Sequence, residues 1–247
     1  MNWLLQNFGS RFRFALRNPR YVATSLFREL TLADERFLSS ITRVSPGRIR
    51  SFMNEPINTP TFAECLHDAT TILHEAETEG ADLYAKKILV QYAAIRAFAP
   101  KVVVETGVAS GVSTSYLLLA LQKNRHGILH SIDIGDRRYL PPGKPPGWIV
   151  PDLLRSSWVL HIGDSLTLLP QLLQELGSID VFIHDSLHTY DHMLWEYRAA
   201  FPYIHPGGLL FSDDATWNPA FPEFRTEVHA KRAKILRGVG FLQKNFS

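Results

Sequence analysis

From Lys101 onward, short apolar runs alternate with longer stretches that carry one apolar face. The runs KVVVE (101–105), ILHSID (128–133), WVLHI (158–162), IDVFIH (179–184) and GLLFS (208–212) predict strands. Helical spacing between them predicts helices over 112–123, 164–176 and 189–203. Such alternation implies a parallel sheet with helices on both faces, and continuously apolar strands suit burial on both. Ala233–Leu236 and Val239–Lys244 flank Arg237-Gly238 and predict a closing antiparallel hairpin. The expected class is α/β, a doubly wound, mostly parallel seven-stranded sheet. YLPPGKPPGWIVP (139–151), with five prolines and two glycines, reads as a loop in place of one helix.

Upstream the pattern is helical. Leu4, Phe8, Phe12 and Leu16 share a face, with Arg13, Arg17 and Arg20 largely away from it. Such a helix suits either an anionic membrane surface or docking on the body or a second subunit. Asp34 is expected to cap a helix through Phe37, Leu38 and Ile41 that Pro46-Gly47 stops. Asn54–Pro60 reads as an extended connector. Further helices are expected over 61–78 and over 80–98, the latter with Leu83, Lys87, Val90, Ala94 and Phe98 at helical spacing and Pro100 at its end. The division expected is a helical extension, 1–79, serving docking, dimerisation or membrane contact, and a ligand-binding domain, 80–247.

Composition adds exclusions. The chain has 247 residues, 45% hydrophobic and 20% charged, which excludes wholesale disorder. No apolar run approaches the roughly 18 residues of a membrane span. Cys65 is the single cysteine, so internal disulfides and multi-cysteine zinc sites are excluded. This favours a reducing, cytoplasmic location, with peripheral membrane contact through residues 1–30 as an option. Net charge is +2, yet residues 1–50 hold nine arginines against Glu29, Asp34 and Glu35. A basic front end therefore precedes a mildly acidic body, and no nucleic-acid partner is expected.

In a doubly wound sheet, ligands bind at the carboxyl ends of the strands, so those ends carry the chemistry. The first strand runs into Glu105-Thr-Gly107-Val-Ala-Ser110-Gly111-Val-Ser113, where glycines let backbone approach a ligand and a helix N-terminus favours negative charge. A tight strand-to-helix turn is the simpler explanation. The spacing is neither G-x-G-x-x-G nor a P-loop. Asp133 ends the second strand, where an acid can accept from a ribose diol; this fits NAD and S-adenosylmethionine alike. Asp164 and Ser165 follow the third strand, and Asp164 reads as a helix cap or an adenine contact. His184-Asp185-Ser-Leu187-His188 ends the fourth strand and Asp213-Asp214 the fifth. Three clustered carboxylates repel unless a cation joins them, and Mg2+ suits carboxylates plus substrate oxygens. A cap role for Asp214 and a core position for His184 are the plainer readings.

Taken together, ETGVASGVST, Asp133, GDSLTLLPQL, FIHDSLHTYDHMLWEY and HPGGLLFSDD resemble class I S-adenosylmethionine-dependent methyltransferases, from about Tyr84 to the C-terminus. The combination is most similar to the small metal-dependent O-methyltransferases. The resemblance implies a Rossmann-like fold and assigns Glu105, Gly107 and Gly111 to the cofactor's methionine end, Asp133 to its ribose, and Asp164 with Ser165 to adenine, with Ser110 and Ser113 also binding cofactor. It implies Asp185, Asp213 and Asp214 as ligands of Mg2+ or another divalent cation, Asp185 also touching cofactor, and His188 as base. Leu187 stands where many relatives carry an acid, and His184 where an apolar residue is common. The implied reaction is O-methylation of a small-molecule or sugar hydroxyl. The competing readings are an NAD-dependent oxidoreductase and a catalytically silent, membrane-associated scaffold. A homodimer is a further option.

Overall fold

The computed structural model describes residues 32–66 and 86–246. Its strands are β1 (Val102–Thr106), β2 (Ile128–Asp133), β3 (Trp158–Ile162), β4 (Ile179–His184), β5 (Ile204–Ser212), β6 (Arg232–Leu236) and β7 (Val239–Gln243). They form one sheet in the order β3-β2-β1-β4-β5-β7-β6, with β1 to β5 parallel and β7 antiparallel to both neighbours. Strand order reverses between β1 and β4, so a crevice opens above their carboxyl ends. The helices are α1 (Ala33–Thr42), α2 (Pro46–Met53), α3 (Lys86–Phe98), α4 (Val112–Asn124), α5 (Ser165–Leu176), α6 (Tyr190–Ala200) and α7 (Ala220–Glu227).

The two sheet faces bury separate cores. Val103, Leu129, Val181, Ile183, Leu209 and Phe211 pack with α1 to α4. Val104, Ile132, Phe182 and Leu210 pack with α5, α6 and α7. The period of two thus decides which helix each strand-end polar residue meets. Glu105 points to the α4 side, while Thr106, His184 and Ser212 form a row on the α6 side.

The sheet expectation holds, with β2, β3 and β4 at their expected limits. β5 starts earlier, at Ile204, because His205-Pro206-Gly207-Gly208 joins the sheet through a register irregularity opposite Ile179–Val181. Arg237-Gly238 turns the closing hairpin with positive φ at both residues.

The N-terminal expectations need three corrections. Asp34 does not cap α1: the cap position is Leu32, and the Asp34 carboxylate accepts from Arg237 Nε at 2.7 Å. α1 ends at Arg43, which has a left-handed backbone, and Pro46 instead starts α2, behind Ser45, whose side chain accepts from the Arg48 N–H. Residues 54–58 are turns closed by Asn54 and Glu55 carbonyls, not an extended connector. Residues 60–66 are helical, while the amphipathic segment 1–30 and the rest of the stretch 67–85 lie outside the described residues. α1 and α2 share one core with α3 and α4, tied by Gln243 Nε2 donating to the Ile41 carbonyl at 2.9 Å and by Arg96 pairing with Glu55 at 2.6 Å. Among the described residues, no helix is long and apolar enough to cross a membrane.

Candidate active site

Backbone bonds continue past the strand ends and fix the tips. Gly107 N–H donates to the Ile132 carbonyl, Gly163 to Asp133, Asp185 to Thr106 and Asp213 to His184, all at 2.8–2.9 Å. Gly107 sits where β1 and β4 meet: φ is +84°, and a Cβ there would lie 1.9 Å from the Asp185 carbonyl oxygen. Only glycine fits. The 107–111 loop then turns into α4, and Gly111, the cap position before it, also has positive φ.

Glu105 lies fully buried beneath this loop. Its Oε2 accepts from Ser131 Oγ at 2.7 Å and Thr114 Oγ1 at 3.0 Å. Burial pushes its carboxyl up to about 7, against those two hydrogen bonds. Asp133 clamps the loop: Oδ2 accepts from the N–H groups of Val108 (2.7 Å) and Ala109 (2.9 Å), and Oδ1 from Gly135 (2.6 Å). Asp164 Oδ1 caps α5 through the Leu166 N–H at 2.9 Å, as its simpler reading expected. Ser165 Oγ lies 3.2 Å from His192 Nε2.

The Pro-rich segment folds back on the glycine loop. Gly147 N–H donates to the Ala109 carbonyl at 2.8 Å, and Trp148 Nε1 to Ser110 Oγ at 3.1 Å. Ile149 and Val150 are buried. The segment is strapped to the loop after β1; Arg137, Leu140 and Lys144 with the intervening prolines line a cavity of about 570 Å³ beside it.

At the tips of β4 and β5, Asp185, His188 and Asp213 bring one ligand atom each within 4.8 Å of one another. His188 Nε2 is 3.7 Å from Asp185 Oδ1, and Ser113 Oγ donates to Asp185 Oδ2 at 3.4 Å. Asp214 is not in this group. Its backbone is left-handed, and its Oδ1 lies 3.9 Å from Lys87 Nζ. Lys87 also donates to Asp213 Oδ2 at 2.7 Å. Burial and the neighbouring Asp213 raise the Asp185 carboxyl well above the usual range, with Lys87 opposing. The Asp214 carboxyl is raised for the same two reasons. Burial, then the nearby His184, lower His188 to about 4, so its ring is neutral near pH 7.

Beneath this corner lies a polar network. Glu196 on α6 is fully buried; its Oε2 accepts from Thr106 Oγ1 and lies 2.6 Å from His184 Nδ1, and its Oε1 accepts from Ser186 Oγ at 2.9 Å and lies 2.9 Å from His192 Nε2. Burial opposes its charge, but the hydrogen bonds from His184 and His192 win and hold its carboxyl well below the usual range. His184 is therefore core-facing, as its plainer reading had it, and braces the strand below Asp185.

Sequence reasoning missed Lys87, Thr106, His192 and Glu196 as parts of the site. The signals were present: a lysine within an apolar helical row, and a His–Glu pair four residues apart on the buried face of α6. Among the described residues, the buried side-chain atoms without a hydrogen-bond partner are Glu105 Oε1, His184 Nε2, His188 Nε2 and Asp213 Oδ1. All four lie at or just past the ends of β1, β4 and β5, and orphaned buried polar atoms are rare in folded proteins.

A doubly wound sheet in this order, closed by an antiparallel hairpin and carrying a glycine loop after β1, is a Rossmann-like fold of the kind seen in methyltransferase structures. Residues 104–215 match the family described as "Methyltransferase domain". A candidate O-methyltransferase from Klebsiella pneumoniae superposes with TM-score 0.52 at 19% identity, over 73% of this chain and 90% of its own. The O-methyltransferase TomG from Streptomyces achromogenes, involved in tomaymycin synthesis and solved in complex with SAM, gives TM-score 0.55 at 15% identity, over 74% and 90%. No curated protein sequence matches the chain. Residues 104–215 are thus similar to a methyltransferase domain, on a fold that these two O-methyltransferase structures share.

Proposed function

We propose that the chain moves the methyl group of S-adenosylmethionine to a hydroxyl of a small molecule or sugar, with a divalent cation, Mg2+ first, beside the acceptor. The observation that carries this reading is the set of orphaned atoms at three adjacent strand ends. Glu105 Oε1 is a fitting partner for an ammonium group of the methionine end, with Gly107, Ser110, Gly111 and Ser113 around it. Asp133, fixed by three backbone N–H groups, presents its carboxylate to the ribose, and Asp164 with Ser165 borders adenine. The TomG neighbour was solved with SAM, which supports the cofactor assignment.

Asp185, Asp213 and His188 fit a hard cation as donors: two carboxylates, one imidazole held neutral, and an unpartnered Asp213 Oδ1. A divalent ion there would lower the acceptor hydroxyl's pKa. The chain's own residues do the rest. The strand tips fix cofactor and acceptor relative to each other, which is the main protein contribution to such a transfer. Trp217, 69% exposed and 5.3 Å from His188 between ring centroids, offers a face on which a sugar or aromatic ring can stack. His188 Nε2 can accept the hydroxyl proton or bind the ion, and the two roles separate experimentally. As base, His188→Ala retains Mn2+ affinity and changes the pH–rate profile; as ligand, it loses Mn2+ affinity.

Calorimetric titration of the full chain tests the reading. S-adenosylhomocysteine and Mn2+ should both bind, and Asp185→Asn should abolish turnover and Mn2+ binding while retaining most nucleoside affinity. Undiminished methyl transfer in excess EDTA would remove the metal.

A further inference from the structure

Lys87 is the second residue of α3, far in sequence from the acids it meets. Its ammonium donates to Asp213 Oδ2 at 2.7 Å and stands 3.9 Å from Asp214 Oδ1. The Asp213 side chain is only 8% exposed, whereas that of Lys87 is 39% exposed. Asp213 therefore faces two ways. Oδ2 holds the lysine, Oδ1 is buried and unpartnered, and one oxygen of this carboxylate lies within 4.8 Å of ligand atoms of Asp185 and His188.

A unit positive charge bonded to one oxygen of a carboxylate weakens what the other oxygen offers a second cation, and the two cations repel at this range. Lysine is suited to yield: its compact charge rides on a flexible four-carbon stem. The helix that carries it stays anchored by the buried Ile88, Val90 and Tyr92. The ammonium can thus withdraw toward solvent without moving α3.

We propose that Lys87 is a tethered cation that competes with the divalent ion for Asp213 and so sets the metal affinity of the site. This rests on the metal reading of the acidic corner. In the metal-free chain Lys87 offsets part of the charge of Asp185, Asp213 and Asp214. An ion must displace it or bind against its field, so the site selects for double charge. The helix preceding β1 thereby becomes a determinant of metal occupancy.

Mn2+ titration calorimetry on the full chain, with a thermal melt and an S-adenosylhomocysteine titration of each sample, tests this. Lys87→Met should bind Mn2+ about tenfold tighter than wild type. Lys87→Gln, which keeps a donor for Asp213 but no charge, should do the same even if the methionine variant folds poorly. Lys87→Arg should stay near wild type, and nucleoside affinity should hardly change. If wild type binds Mn2+ and the neutral variants bind it no tighter, Lys87 is a structural tether and the proposal is overturned. If no variant binds Mn2+ while S-adenosylhomocysteine still binds, the metal reading fails and takes this proposal with it.

Discussion

Replacing Glu105 by glutamine should make the ligand-free chain more stable at pH 8 while weakening its hold on the cofactor. Glu105 is fully buried, and only the hydroxyls of Ser131 and Thr114 donate to it. Burial raises its carboxyl from 4.5 to about 7, which corresponds to roughly 3 kcal/mol of folding free energy. The folded state therefore holds the proton more tightly than the unfolded state. The stability from this group is complete below pH 4.5 and is lost as pH rises through about 7. Glutamine is neutral throughout and keeps an oxygen for both hydroxyls. Urea unfolding at pH 5 and pH 8 should show wild type falling relative to Glu105→Gln, with the variant ahead by up to about 3 kcal/mol at the higher pH. In a chain of this size that is a melting difference of roughly 6–12 °C. A variant less stable than wild type at pH 8, or a wild-type-to-variant difference that does not change between the two pH values, would refute the reasoning. Retaining the acid against its cost is the expected signature of a binding group.

Gly107→Ala should cost roughly 3 kcal/mol in chemical denaturation, because its methyl would meet the Asp185 carbonyl and its φ would be strained; a loss below 1 kcal/mol would mean that the β1–β4 contact yields. Glu196→Gln should also cost about 3 kcal/mol, since it leaves His184 and His192 without their charged partner. Because the Glu196 carboxyl is depressed, its contribution is present above pH 4.5 and is lost as pH falls below it, so the gap to wild type should narrow in acid. An equal gap at pH 3 and pH 7 would contradict that.

The sheet was readable because each parallel strand is a short apolar run with its own turn signal, so β2, β3 and β4 stand at the limits their residues predict. Asp34 was not readable. Its partner Arg237 lies in the last hairpin, and a local cap is the only role that local spacing can suggest. The acidic corner was half legible. Asp185 and Asp213 follow from strand-end position, whereas the third residue with a ligand atom within 4.8 Å of theirs is His188, expected as base, and not Asp214. Lys87 and Glu196 reach the site from helices on opposite faces of the sheet, a relation that exists only after packing. The Pro-rich segment was readable as a loop, whereas its backbone bonds to Ala109 and Ser110 are tertiary.

Titration of the folded wild-type chain and of Glu105→Gln with S-adenosylhomocysteine, beside NAD, tests the central claim most directly. Saturable binding of the sulfur nucleoside, weakened about tenfold or more by the loss of the Glu105 charge, and no binding of NAD is the predicted result. Failure of the nucleoside to bind folded wild type, or tighter binding of NAD, would contradict the account.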